Sequence, residues 1–218
     1  MRDPDMSSKW SSLSALLRRP WFSRRWVVQD IAFAVQATVH CGNHVLTWAS
    51  LAQAVSMFLT YRTSFSLPPA GIADVFQLEH GARLIEITSS AIIKDDNGRS
   101  LRRVFSLETL VTVFSYSQTS VPHNSVYALL PLSKDVEPAH ELREEASRTS
   151  GYTVHVPLSR SPSTFPRDYS KPYIEACQDF IQHSISQSGS LDIICRSWAP
   201  EVPNLPFWVS TVSAGFTL

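Results

Sequence analysis

Cysteine is scarce in this chain. Its 218 residues contain only Cys41, Cys177 and Cys195, and an odd, widely spaced set does not make a disulfide framework. That scarcity favours a reducing compartment, and the cytoplasm is the expected location. Net charge is missing as well. Nineteen Lys+Arg stand against nineteen Asp+Glu, so no global field draws the chain to nucleic acid or to an acidic membrane surface. No apolar run approaches the roughly 20 residues that a membrane-spanning helix needs. The first nine residues are polar and lack the apolar core of a secretion signal.

What is present is a chain 44% hydrophobic and 17% charged, enough to bury a core as one large domain or two small ones. Its densest stretch is Arg19-Pro-Trp-Phe-Ser-Arg-Arg-Trp-Val-Val-Gln-Asp30, continuing to Val35. Pro20 suits the first turn of a helix, and no Gly or Pro follows it. Helical spacing then puts Phe22, Trp26, Gln29 and Phe33 on one face, with Asp30 at its edge. Before this block, Trp10, Leu13, Leu16 and Leu17 fit a short helix whose last carbonyls would meet Arg18 and Arg19. The alternative, an Arg-rich nucleic-acid motif, lacks an accompanying aromatic or Gly pattern.

After Val35 the period shortens. Residues 37–41 and 44–47 read as a hairpin about Gly42-Asn43. His40, Cys41 and His44 suggest zinc, but neighbouring strand residues face opposite sides and no second ligand pair exists, so no metal is expected. Residues 47–61 read as a helix capped by Thr47, burying Trp48, Leu51, Ala52, Val55, Phe58 and Leu59. A loop over 64–71, a helix over 72–87 and a loop at 95–98 follow. Residues 104–114 read as a core helix with apolar residues at Val104, Leu107, Leu110, Val111 and Phe114, and Ser106 as a cap onto the backbone near Thr109. Residues 126–132 are too few to distinguish helix from strand. Residues 133–167 read as mostly irregular, with a helix near 140–148 and a strand at 152–156. A strong helix follows, with Ser170 as N-cap, Pro172 in its first turn, Gly189 as its stop, and Tyr173, Cys177, Phe180, Ile181 and Ile185 on its buried face. Residues 191–195 read as a strand, and the Pro- and aromatic-rich end as an extended wrap. The fold class is therefore α+β, predominantly α-helical with a few short strands. Three regions are expected: 1–18, a polar segment with a short helix; 19–62; and 63–218, helical with Pro-rich loops.

Taken in order, the opening block, Cys41-Gly42, Trp48 with Leu51, Val126-Tyr-Ala-Leu-Leu130, Asp168-Tyr-Ser-Lys-Pro172, Gly189-Ser-Leu-Asp192 and Leu205-Pro-x-Trp208 resemble fungal heterokaryon-incompatibility (HET) domain proteins. The resemblance implies a role in non-self recognition and programmed cell death when incompatible hyphae fuse. It also implies protein partners, either a second copy or another incompatibility protein. The family's signalling domain is thought to be related to TIR domains, so NAD enters as a substrate of a possible glycohydrolase activity, with no resident cofactor. Two departures qualify this. The family's earlier blocks, an aromatic-x-Trp-Gly run and a Trp-Ile-Asp-x-x-Cys-Ile-Asn-Gln run, do not occur, and the usual Glu of the last block is Asp30. The chain is thus expected to represent the terminal piece of a HET domain with the region after it, a partial or truncated HET-type architecture.

By the resemblance, Arg24, Trp26 and Gln29 would be binding or signature residues, and Asp30 a catalytic group holding a ribose hydroxyl or stabilising positive charge as a glycosidic bond breaks. The plainer reading has Trp26 packing, Arg24 and Asp30 pairing locally, and Gln29 bonding backbone. It is preferred for this chain, because one carboxylate without its pocket supplies little catalysis. The chain is then a non-catalytic interaction or regulatory part, with an NAD glycohydrolase and an unrelated helical scaffold as alternatives. His123, His155 and His183 show no partner spacing.

Overall fold

The computed structural model describes residues 4–65, 72–95, 100–137 and 163–211. Helix α1 (Pro4–Leu17) begins earlier than the sequence suggests. Pro4 explains the start, since a first-turn proline gives up no helical hydrogen bond. Arg18 does serve its end, its Nε donating to Ser14 O at 3.3 Å.

The next element differs from the single long helix expected from Pro20. Pro20–Ser23 forms one 3-10 turn, Arg24 is extended (φ −79°, ψ 126°), and only then does α2 (Arg25–Phe33) begin. The interruption is tertiary in origin. Gln118 N–H donates to Ser23 O at 2.7 Å, and Arg25 N–H donates to Gln118 O at 3.1 Å, forming a one-residue bridge that needs Arg24 extended. This backbone pairing overrides local helix propensity. It also resets the helical phase, so Phe22 is buried whereas Trp26 is 42% and Phe33 40% exposed. The buried face of α2 is Arg25, Val27, Val28 and Ala32 instead.

The hairpin is formed by β1 (Thr38–Cys41) and β2 (His44–Thr47), antiparallel, with Thr38 opposite Thr47 and Cys41 opposite His44. Gly42 takes φ +59° in its turn, a conformation that Gly adopts without a Cβ penalty. Helix α3 (Trp48–Phe65) follows directly, with Thr47 Oγ1 accepting from Ser50 N–H at 3.1 Å as an N-cap. Trp48, Leu51, Val55 and Phe58 are buried, while Ala52 and Leu59 are half-buried. The expected loop over 64–71 falls largely outside the described residues. Helix α4 (Ile72–Ser90) then packs against α1, α2, α3 and the Pro20–Ser23 turn. Gly81 permits the approach of α1, since a Cβ there would lie 2.7 Å from Leu17 O. Two short strands, β3 (Ile92–Lys94) and β4 (Ser100–Arg103), pair in a second two-stranded sheet.

Helix α5 (Leu107–Val113) has the expected cap, with Thr109 N–H donating to Ser106 Oγ at 3.2 Å, and buries Leu107, Leu110 and Val111. The undecided run is helical: α6 (Asn124–Tyr127) and a 3-10 turn, Leu130–Leu132. The helix and strand expected at 140–148 and 152–156 lie outside the described residues. Helix α7 (Tyr173–Ser188) starts after Pro172 without a side-chain cap and ends at Gly189, φ +73°. Ser170 is not the N-cap, because its N–H and hydroxyl both donate to Asp168 Oδ1, at 2.8 and 2.6 Å. Residues 191–195 are not a strand either. Asp192–Cys195 forms a helical turn, α8. Asp192 N–H donates to Ser190 Oγ at 3.1 Å, the side-chain-to-backbone contact with which Ser favours turns over ladders. The final segment folds back on itself, Trp198 and Ala199 N–H both donating to Ser210 O. Trp198 is fully buried edge-on against Phe180, ring centroids 4.6 Å apart.

The fold is thus α+β and predominantly helical. It forms two compact units: Met1–Arg102 with Tyr116–Gln118 and Ala214–Leu218, and Arg103–Ser115 with Thr119–Ser213. No described helix is long and apolar enough to cross a membrane.

Candidate functional site

Of the four residues singled out at the opening block, Arg24 precedes α2, and Trp26, Gln29 and Asp30 lie on it. Arg24, Trp26 and Asp30 are exposed. Gln29 is half-buried, and its Oε1 lies inside with no hydrogen-bond partner among the described residues. The residue that the sequence reading passed over is Arg25, only 1% exposed. Its guanidinium reaches Ser117 O at 3.4 Å, on the segment whose Gln118 interrupts the helix. Burial of a cation demands such hydrogen bonds.

The motif runs at Val126 and Asp168 meet in the second unit. His123 has its ring within 5.5–5.9 Å of the rings of Tyr127, Tyr169 and Tyr173, and Tyr127 stands perpendicular to Tyr169 at 5.1 Å. Polar contacts tie the same residues. Ser125 Oγ and Tyr173 Oη are 2.9 Å apart, Tyr169 Oη donates to Asn124 Oδ1 at 2.8 Å, and His123 Nε2 is 2.8 Å from Lys171 O. Arg167 donates to Tyr127 O at 3.3 Å. Burial raises the Tyr127 hydroxyl, a shift only partly countered by its hydrogen bond with the Asp168 backbone. The Ser170 hydroxyl and N–H hold the Asp168 carboxyl below the usual carboxylate range, an Asx-type turn that sets Tyr169 against α6.

Comparison with known protein families, curated proteins and solved structures finds no match. The chemistry of the chain therefore has to be read from its own geometry.

A third cluster had no spacing signal in the sequence. Asp135, Ser163 and His183 lie on three separate segments of the second unit. Ser163 Oγ is 3.1 Å from His183 Nδ1, and His183 Nε2 is 3.5 Å from Asp135 Oδ2. Asp135 Oδ1 accepts Leu107 N–H at 2.8 Å, at the start of α5. Burial alone would push the Asp135 carboxyl up. The His183 imidazole and the Leu107 N–H outweigh it, and the carboxyl is held below its ordinary value. Phe165 presents its ring at 74° to the imidazole, 5.5 Å away. His183 was unassigned in sequence because Ser, His and Asp in scattered positions carry no pattern until the chain folds.

Cys177 is a core residue, as its place on α7 suggests. It is fully buried, and burial pushes its thiol up to about 12. Cys41 stands opposite His44 across the hairpin. Among the described residues no three His, Cys, Asp or Glu side chains gather as a metal site. A groove on α7 is lined by Gln178, Ile181, Gln182, Ile185, Ser186 and Trp208, and its walls are almost wholly apolar.

Proposed function

We propose that the chain is an interaction or regulatory part of a HET-type incompatibility protein, acting in fungal non-self recognition and cell death through protein partners. One observation carries the reading. The two runs that resemble HET signature motifs, Val126-Tyr-Ala-Leu-Leu130 and Asp168-Tyr-Ser-Lys-Pro172, pack on each other through Tyr127, Tyr169, Tyr173 and His123. This mutual packing supports reading the runs as one structural unit. An exposed Trp26 and Phe33 on α2 also favour a binding role over an isolated fold.

The NAD-cleaving alternative asks for Asp30 in a cleft that excludes water. Asp30 is exposed on α2, which favours the non-catalytic reading. The test is genetic: disrupt the gene in one of two incompatible strains and score cell death at hyphal fusions. Lost or weakened death is the expected result, and unchanged death removes the reading. In parallel, the purified chain is incubated with NAD. Nicotinamide release that Asp30→Ala abolishes would replace the non-catalytic reading with the enzymatic one.

A further inference from the structure

We propose that Ser163 is an activated nucleophile, with His183 as its base, that takes acyl groups from short, uncharged esters. This goes beyond the interaction role and rests on different residues. His183 Nε2 lies 3.5 Å from Asp135 Oδ2, an electrostatic approach without hydrogen-bond geometry, and the carboxylate favours the tautomer with its proton on Nε2. Nδ1 is then the acceptor, and at 3.1 Å it receives the Ser163 hydroxyl. A serine hydroxyl within hydrogen-bond distance of one imidazole nitrogen, with a carboxylate close to the other, is the arrangement from which general-base activation starts.

The orientation is over-determined. Asp135 is anchored by Leu107 N–H, and its backbone O accepts Ser163 N–H at 3.1 Å while Ser163 O accepts Glu137 N–H at 3.1 Å. Acid and nucleophile are thereby held on adjacent, paired backbone. His183 comes from the middle of α7, buried, with Phe165 against it. Asp135 is a positioning residue, since it acts through the imidazole. Ser163 itself is half-buried. The Phe165 ring gives an apolar wall beside the imidazole, which suits an uncharged acyl group.

In the reaction, Ser163 Oγ bonds to the ester carbonyl carbon as its proton passes to His183 Nδ1. The tetrahedral adduct collapses, the bond to the alcohol oxygen breaks, and the alcohol leaves with the proton from Nδ1. The Ser163 ester remains. Water attacking that ester, by the same transfers, releases the acid and restores the serine. The Ser163 and Glu137 N–H groups are both engaged, so neither is available to a developing oxyanion. Acylation by an activated ester is expected to outrun deacylation, because p-nitrophenolate is a far better leaving group than the serine alkoxide that deacylation must expel.

The test uses the full chain and p-nitrophenyl acetate. The expected result is a burst of p-nitrophenolate approaching one equivalent per chain, with the acetyl group found on Ser163 by peptide mass mapping. Ser163→Ala should abolish the burst, and His183→Gln should slow it by about 10²-fold or more. Ser163→Ala removes a half-buried hydroxyl, and its native melting profile provides the folding control. For Asp135, the readout is the pH profile of acylation, whose rise should move to lower pH in Asp135→Asn, because the carboxylate that favours the protonated imidazole is gone. A natively folded chain without a burst, or acetylation unchanged in Ser163→Ala, overturns the proposal. Loss of this chemistry would leave the hyphal-fusion test untouched, and the reverse also holds.

Discussion

Tyr173 Oη lies 2.9 Å from Ser125 Oγ, joining the first residue of α7 to the turn that carries the Val126 run. Both side chains are buried, so the contact is shielded from water. Tyr173→Phe and Ser125→Ala should each destabilise the chain by about 1–2 kcal/mol. The double variant should cost less than the sum, because each single variant already breaks the shared contact. Urea unfolding of the four proteins measures the coupling.

Asp135 makes stability depend on acid. Its folded carboxyl titrates below the ordinary value of 3.8, so its contribution is complete above about pH 4 and is lost as pH falls through the depressed folded value. Asp135→Asn should be less stable than the parent at neutral pH, by about 1–3 kcal/mol for the weakened charge-assisted hydrogen bond from Leu107 N–H. It should also show a shallower loss of stability below pH 4. Thermal melts across pH 2.5 to 7 test both arms.

The three thiols should separate into two classes. Cys41 and Cys195 are exposed, and Cys177 is buried with its thiol pushed up to about 12. A thiol-reactive disulfide reagent should titrate two groups quickly in the native chain and the third only on unfolding. Fast reaction of all three would place Cys177 outside the core.

Gly81→Ala should loosen the contact of α1 with α4. Its methyl group would meet a backbone oxygen, Leu17 O, at 2.7 Å, which cannot rotate away as a side chain does. About 1–3 kcal/mol of destabilisation is expected from such overpacking, opposite in sign to the usual gain from Gly→Ala within a helix. Circular dichroism melts decide between the signs.

Trp26 and Phe33, each about two-fifths exposed on α2, should drive self-association, since large apolar side chains left in water forgo about 1.5–3 kcal/mol each. Trp26→Ser with Phe33→Ser should weaken association tenfold or more. Sedimentation of the native chain as a clean monomer at high concentration would sink this expectation.

The legible parts of the fold were those with local causes. Thr47, Ser106 and Gly189 mark helix ends through contacts within a few residues, and the stripes on α3, α5 and α7 follow helical spacing. The break at Arg24 was not legible, because its cause is Gln118, far along the chain. The same holds for the buried Arg25, which resembles its exposed neighbour in sequence and differs only in where Ser117 sits. Residues 191–195 misled by their shortness, and Ser190 decided them. The Ser163, His183 and Asp135 cluster is assembled wholly by tertiary structure, so no spacing could announce it.

The burial of Trp198 against Phe180 has an optical consequence. Of the six tryptophans, Trp198 is the one with its whole surface covered, and an indole in a dry setting emits at shorter wavelength than one in water. Trp10, Trp21, Trp26 and Trp48 belong to the first unit, Trp198 and Trp208 to the second. With Trp48, buried in the first unit, replaced by Phe, the blue edge of the fluorescence spectrum becomes a private signal of the second unit. Its loss on heating can be timed against the red-shifted emission of Trp21 and Trp26, revealing whether the two units melt together or in turn.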